Sequence, residues 1–518
     1  MSWHLHPQPI YATGCTLRAA IEEANAHAPV PSTISFVAFN PSDFFFKEVR
    51  TISLPGGALQ IKTPVTISGA SSGRPAHQFI IAGSGNDRIF EIKGPPVTIE
   101  GMTLAGGNAT AAQQDGGAIY STGGPLTLEK VWIRDSVAPR YGGAVYLDHG
   151  SGNKISYSTF SGNTAGFGGA IATREAGLAM VNSTISDNTA NGQGSPTNAL
   201  GGGLYAHSVS DFNHVSLQHV TIANNSAGQG RGGGVAIENG PSHFNFSNTI
   251  IAANTAATDR EYLFFNGIAV SDGYNLVGDN PGDAPPFPGS GNWTSTDLLD
   301  LPANFGPLGL PFGASVPMRG LEAGSAAIDK GKSFGVPIDQ RGGLRPIDNP
   351  TIPNATGGDG SDIGAFEVGG MVVNSLGDEA DATPGDGICE TASGNRVCTL
   401  RAAVQEISAS PSGGNIYFAL PGSAPYTINL NTALPNFEKN TNMVGPGANQ
   451  LTISRSTTAA NAFRIFDFEA VNGGNDGQQH SSATVFGVTI ANGLDHEPEW
   501  RWWWWRRICR PQPHCNPR

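Results

Sequence analysis

A glycine pair followed by a small residue and an aliphatic one recurs five times along this chain. It reads GGAIY, GGAVY, GGAIA, GGGLY and GGGVA, starting at positions 116, 142, 168, 201 and 232. Successive starts lie 26, 26, 33 and 31 residues apart, so a constant core is interrupted by loops of variable length. Before each of the last four pairs, and once more after the last, comes an apolar residue, then Asn or Ser three positions on, then Ala two further on. The instances are Ile133-Ser136-Ala138, Phe160-Asn163-Ala165, Ile185-Asn188-Ala190, Ile222-Asn225-Ala227 and Ile251-Asn254-Ala256. A period of this length is the mark of a repeat array whose units bury their apolar faces only by stacking.

Each unit holds short alternating runs, such as 126–128, 155–157 and 215–217, with the period of a half-buried strand. Helical periodicity is not sustained anywhere in this region. A propeller blade needs about four strands per repeat, for which 26 residues are too few. Strands from successive units stacked about 4.8 Å apart do close a core. The expected fold is therefore all-β, a right-handed parallel β-helix (a pectin-lyase-like solenoid), tandem duplicated and carrying short N-terminal cap helices. Equivalent residues then lie above one another, and Asn163, Asn188, Asn225 and Asn254 are expected to form a structural ladder of side-chain amides. The glycine pairs supply positive φ where the coil turns.

Composition agrees with stacked β-structure: charged residues are 14% of the chain and glycines number 70. A net charge of −13 argues against nucleic acid as a partner, because neutralising phosphates needs clustered Lys and Arg. No apolar run is long enough to suggest a transmembrane segment.

Three sets of motifs carry a family resemblance. GGAI, GGAV and FSGN (160–163) resemble the GGA[ILV] and FxxN repeats of polymorphic outer membrane proteins. CTLRAAIEEANA (15–26) and the segment 373–409, which contains CTLRAAVQEISA, are similar to the CSLREA domain that opens many secreted bacterial β-helix proteins. GSAAIDKG (324–331), DQRGGLRP (339–346) and DIGAFE (362–367) resemble the closing segment of choice-of-anchor surface proteins. The resemblance implies a β-helix placed on the cell surface, in the outer membrane or outside the cell, some relatives being adhesins, with no fixed reaction. A monomer that binds glycans or components of host or neighbouring cell surfaces is the expected mode of action.

The two CTLRAA segments also reveal a duplication. Cys398 follows Cys15 by 383 residues, Arg464 follows Arg88 by 376, and Gly487 follows Gly101 by 386. The expected organisation is a first module over 1–368, with a cap helix at 15–28, coils at 33–280 and a closing segment at 281–368. A second module begins over 371–493. The first copy lacks the strand and cysteine that precede CTLRAA in the second, so Met1 reads as an internal start and the export signal as lost with it. At the other end, the offset of 386 places a glycine run near position 502, where Trp502 to Trp505 stand. A GGT run read from its third base gives TGG, the Trp codon, so 494–518 reads as an out-of-frame tail rather than as a membrane-binding stretch.

Candidate sites are few. Cys389 and Cys398, with eight residues between them, are expected to form a disulfide, as in exported proteins. Asp135 and Asp187 precede their ladder residues two coils apart, about 9.6 Å by strand spacing, with Gly162 between. They are the weak candidates for a catalytic pair, at or beyond the upper end of the inverting-glycosidase range, and turn-capping is the plainer reading. Asp115 and Asp148 flank glycine pairs and take the same reading. Arg140 and Arg231 precede such pairs with no stacked acidic cluster evident. His149, His207, His214 and His219 show no metalloprotease or triad spacing. Asp378, Glu379, Asp381 and Asp386 could gather calcium, the one cofactor weighed, although their spacing is not that of an EF-hand and a solvated turn is the plainer reading. Asp329, Asp339, Arg341, Arg345 and Asp362 are expected to form ion pairs that close the end of the solenoid. A non-catalytic binding protein is therefore the favoured expectation, with a polysaccharide lyase or glycoside hydrolase on the same fold as its rival.

Overall fold

The computed structural model describes residues 15–36, 49–69, 75–208, 214–238, 243–265, 268–279, 293–311, 314–322, 324–349, 352–395, 397–410, 413–418, 420–437, 439, 441–467 and 483–494. Expectations about Met1, the tail from 495 onward and the start of the closing segment, 281–292, fall outside these residues. The chain divides into two compact units, Met1–Gly369 and Gly370–Arg518, parting at the Gly369-Gly370 pair.

In the first unit three short strands make each coil. Ile119–Thr122 is followed by Leu126–Glu129 and Trp132–Arg134, and each pairs in parallel with its equivalent one coil away. Three parallel sheets result, here called the first, second and third in that order. Inward positions alternate along every strand, so Ile99, Leu128, Ile155, Met180 and Leu217 stack as one interior column and Leu104, Ile133, Phe160, Ile185 and Ile222 as another. Burying such a side chain contributes about 1.5–3 kcal/mol, which no single coil could collect alone.

Corners are set by backbone conformation. One residue before the ladder, Asp135, Gly162, Asp187, Asn224 and Ala253 all adopt positive φ, as do Gly142 and the other leading glycines of the pairs. Gly143, the trailing glycine, is required by close approach: a Cβ there would lie 2.2 Å from the carbonyl oxygen of Gly169 in the next coil.

Helix α1, Leu17–Ala26, packs on the first strands, and α2, Leu400–Ala409, does the same in the second unit. Thr16 and Thr399 cap them by accepting from Ala19 and Ala402 backbone N–H groups. Arg18 donates to the Gly57 and Ala58 carbonyls, and Arg401 likewise to those of Thr432 and Ala433. The shared TLRAA thus fastens a cap helix to the following turn in both units. The second unit has parallel strands Gly414–Phe418, Thr441–Val444 and Ala483–Phe486 along one side and Tyr426–Leu430, Leu451–Arg455 and Thr489–Ala491 along another.

The closing segment departs from expectation. Its first part, Leu298–Leu299, adds one more strand to the solenoid. Ahead of that strand Trp293 packs on the inward Phe246 and Tyr262 of the last coils, while the rest turns back along the flank. Ser315 accepts from the His77 backbone, Gln340 bonds Thr184 and Thr159, and Ala365 donates to Thr221. Further along, Asn248 donates to the Asp362 carbonyl and Tyr274 to that of Thr356. This strap covers the outward residues of the third sheet, and Thr159, Thr184, Thr221 and Ile250 are all buried beneath it. Three of these side chains are short and hydroxyl-bearing, which lets another chain approach and pair with them, while Ile250 packs with Ala327 and Ile363 of the strap.

Candidate functional site

The amide ladder is continuous. Asn163, Asn188 and Asn225 each donate from Nδ2 to the Oδ1 of the next asparagine, at 2.9, 2.9 and 3.0 Å. The backbone N–H of each reaches the same oxygen. Asn254 has no further asparagine and donates instead to the Glu261 carboxyl at 2.7 Å. Glu261 points inward where earlier coils carry glycine or alanine. Its burial pushes its pKa up to about 8 against the opposing pull of the Asn254 donors. A second ladder, unread in the sequence, lies at the opposite edge of the third sheet. There Ser158, Ser183, Thr249 and Asn275 accept backbone N–H groups from the preceding coil.

Asp135 and Asp187 share one column with Gly162 between them, linked through backbone pairing. Neither is left as a free acid or base. Arg319, on the strap, holds both Asp187 oxygens at 2.7 and 2.9 Å and also bonds Ser186. Asp135, on an exposed corner, pairs with Arg134 beside it. Cys389 and Cys398 are joined in a disulfide, with Cα atoms 5.1 Å apart.

The four acidic residues of 378–386 do not converge. Asp378 pairs with Arg401 and Asp381 accepts from Thr383 and Glu390 backbone N–H groups. Asp386 accepts from Ile388, and Glu379 bonds none of the other three. Among the described residues no three His, Cys, Asp or Glu side chains gather as a metal site. Of the expected charged set only Arg341 and Asp339 pair with each other, at 2.6 Å; Arg345 pairs instead with Glu367 at 3.4 Å, and Asp329 and Asp362 accept backbone N–H groups, inside the strap rather than over the solenoid end. His219, buried beneath it, presents Nδ1 to donors from Asn248 and Arg345, each at 2.7 Å, and Nε2 to the Ser333 carbonyl at 2.9 Å. It is a packing histidine that anchors the strap. Burial and the Arg345 charge push its pKa well down.

The arrangement with most chemical content lies on the outside of the first sheet. Tyr120, Tyr146, Ala172, Tyr205 and Ala236 form one outward column, and Thr122, Asp148, Arg174, His207 and Glu238 the next. Tyr141 and Phe167, from the turns before two glycine pairs, fold over the gap left by Ala172. Tyr141 stacks on Tyr146 at 5.5 Å and on Tyr205 at 5.8 Å. Phe167 lies against Tyr141 and Tyr205, and Tyr120 extends the row beside Tyr146. Around the rings sit paired charges. Arg140 grips Asp115 through two hydrogen bonds, 2.8 and 2.6 Å, and its guanidinium lies 4.9 Å from the Tyr141 ring centre. Arg174 grips Asp148 the same way, at 2.8 and 3.0 Å, with His149 and Tyr120 on the same carboxylate. Arg231 holds Asp259 at 2.5 Å, and Tyr205 donates to Glu238 at 2.9 Å.

Arg140 and Arg231 thus each bond a single acid of a neighbouring coil, a pairing that the spacing did not show, and not a stacked acidic cluster. The tyrosines were in view: GGAIY, GGAVY and GGGLY all end on the outward residue of this column, while GGAIA and GGGVA end on the alanines that leave room for Tyr141 and Phe167. What the spacing did not show is that turn residues fold back over the sheet.

Residues 66–280 match the family model described as a right handed beta helix region. The solenoid is a right-handed β-helix. No curated protein and no solved structure gives a significant match. The matched stretch contains the aromatic face and both ladders, and no helix among the described residues is long and apolar enough to cross a membrane.

Proposed function

We propose that this protein is a non-catalytic secreted or cell-surface β-helix that binds glycans or other surface components through the aromatic face of its first sheet. The observation that carries the reading is the state of the carboxylates there. Asp115, Asp148 and Asp259 are each held by an arginine, and Glu238 by a tyrosine hydroxyl. General acid–base or lyase chemistry wants a carboxyl, or a base, free to exchange a proton with the substrate at close range. Locked pairs beside stacked rings suit recognition instead. The rod offers repeated weak polar contacts along its length, whose avidity multiplies when several sugar units engage at once.

Placement outside the cytosol is part of the proposal, supported by the Cys389–Cys398 disulfide and by the resemblance of the CTLRAA, GGA[ILV] and closing motifs to surface proteins. The test is a glycan array and a depolymerisation assay run on the same preparation. Retention of glycan without new reducing ends or unsaturated products supports the reading. Chain cleavage that is lost in Asp148→Asn or Asp187→Asn would replace it with a polysaccharide lyase or glycosidase.

A further inference from the structure

We infer that the aromatic face takes a neutral, hydroxyl-rich pyranose chain, with Tyr146 as the buried hydrogen-bonding group at the centre of its site. The inference rests on the glycan-binding reading above and goes beyond it by naming the class of glycan.

Two independent observations converge. The first is electrostatic. Arg140, Arg174 and Arg231 are the guanidinium groups of the central face, and each is neutralised by its own carboxylate at hydrogen-bond distance. At the N-terminal end Lys93 pairs with Glu91 at 2.7 Å. An anionic polymer would find the guanidinium groups of the central face already occupied and would meet Glu238, held by a tyrosine hydroxyl, beside its own carboxylates or sulfates. Recognition of such polymers relies on a surplus of positive charge. A neutral sugar meets no such penalty, and its vicinal hydroxyls can donate to a carboxylate and accept from the guanidinium bonded to it.

The second observation points to a bound group. Tyr146 is 2% exposed, and its hydroxyl has no hydrogen-bond partner. Buried polar atoms are almost always satisfied, and an orphan hydroxyl costs about 1–3 kcal/mol unless something reaches it. The ring is sandwiched between Tyr120 and Tyr141, and Asp148, Asp115 and Arg174 are the charges acting on its hydroxyl. A sugar hydroxyl entering between the two Arg–Asp pairs would satisfy it, while the half-buried Tyr141 and Phe167 offer ring faces and edges to the apolar side of the pyranose. Arg88 Nε, also buried without a partner, lies on the same face, its guanidinium 5.0 Å from the Tyr120 ring centre.

The experiment uses the full chain, with neutral probes (gluco-, manno-, galacto- and xylo-oligosaccharides) against polygalacturonate and heparin, read by calorimetry. At least one neutral series should bind and both polyanions should not. Tyr141→Ala should weaken that binding at least ten-fold. Tyr146→Phe, which keeps the packing and removes only the unpartnered hydroxyl, should weaken it several-fold while the melting temperature of the free protein holds or rises. Binding confined to the polyanions would overturn the inference while leaving the glycan-binding reading in place. Neutral binding unaffected in both variants would overturn the assignment of the site. A folded protein that binds no probe would overturn inference and reading together.

Discussion

The first and third sheets of the β-helix are built by the same coils, yet their outer faces meet opposite fates. On the third, three successive coils turn short residues outward: Thr159, Thr184 and Thr221 lie under the strap, the first two bonded to Gln340 and the third to Ala365. On the first, the outward residues are long or aromatic, and they satisfy each other: Arg with Asp, Tyr with Glu, ring on ring. A solenoid face whose side chains leave backbone-sized gaps recruits more of its own chain. One whose side chains are mutually paired stays open for something else. The difference lies in the outward columns, since the inward columns of both sheets are buried and mostly apolar.

The sharpest way to break this comparison is to remove one arginine from each face. Arg345, fully buried in the strap, faces Glu367 and donates to the Asp362 and Gly364 carbonyls and to His219. Arg345→Leu leaves Glu367 and the neighbouring Asp362 as buried acids without their cation, and should cost about 3–5 kcal/mol in urea unfolding. Arg174→Leu on the open face leaves Asp148 with His149 and Tyr120 and should cost under about 1 kcal/mol. Equal losses would mean that the two faces are not energetically distinct.

Next in size is the dependence on pH. Burial raises Asp329 to about 6, raises Asp362 and Glu367, and raises Glu261 at the ladder end to about 8. A carboxyl whose pKa is raised by folding holds its full contribution below its unfolded value and loses it as pH rises through the folded one. For Glu261 the window runs from about 4.5 to about 8. His219 acts in the opposite sense: its depressed pKa means stability present above 6.5 and lost as pH falls further. The first unit should thus lose on the order of a few kcal/mol between pH 5 and pH 8. Glu261→Gln should flatten the ladder's share of that slope. A variant whose unfolding midpoint still falls as steeply as wild type would show that Glu261 does not supply it.

Much of this was legible from the sequence because stacking copies a local signal many times. The asparagines sit at one register in four coils, so their column followed from alignment alone. The strap was not legible, since its contacts with Thr159, Thr184 and Asn182 span more than 150 residues and no period connects them. Glu261 escaped for a related reason. It is the exception in a column of glycine and alanine, and only the end of the asparagine run explains why a carboxyl is tolerated inside. The aromatic face was half legible: the column of Tyr120, Tyr146 and Tyr205 was visible, but the folding over of Tyr141 and Phe167 depends on turn geometry that alternation does not encode.

A smaller effect is expected where the strap meets the exposed rim of the third sheet. Asp187→Asn keeps a hydrogen bond to Arg319 and removes the charge from a pair whose acid is 40% exposed. Solvent screening limits its cost to about 1 kcal/mol. Thermal unfolding should register a shift of a few degrees at most. A larger shift would mean that this rim pair, and not the buried set around Arg345, fixes the strap.

The smallest effect should come from Asp135, in the same column two coils away and outside the strap's grip. Its φ of 53° lies in the left-handed region, which an L-residue occupies at a cost and glycine occupies freely, as Gly162 does in the next coil. Its side chain is exposed and engaged only with neighbouring Arg134, an arrangement that contributes little. Asp135→Gly therefore exchanges a weak surface pair for relief of backbone strain, against the greater freedom of glycine in the unfolded chain. These terms nearly cancel, and the melting temperature should stay within about a degree or two of wild type. Asp135→Val should be worse than Asp135→Gly by about 1–2 kcal/mol, because a β-branched residue tolerates that conformation least. If valine were accepted as readily as glycine, the corner would not depend on positive φ, and the recurrence of Asp, Gly and Asn before the ladder would need another cause.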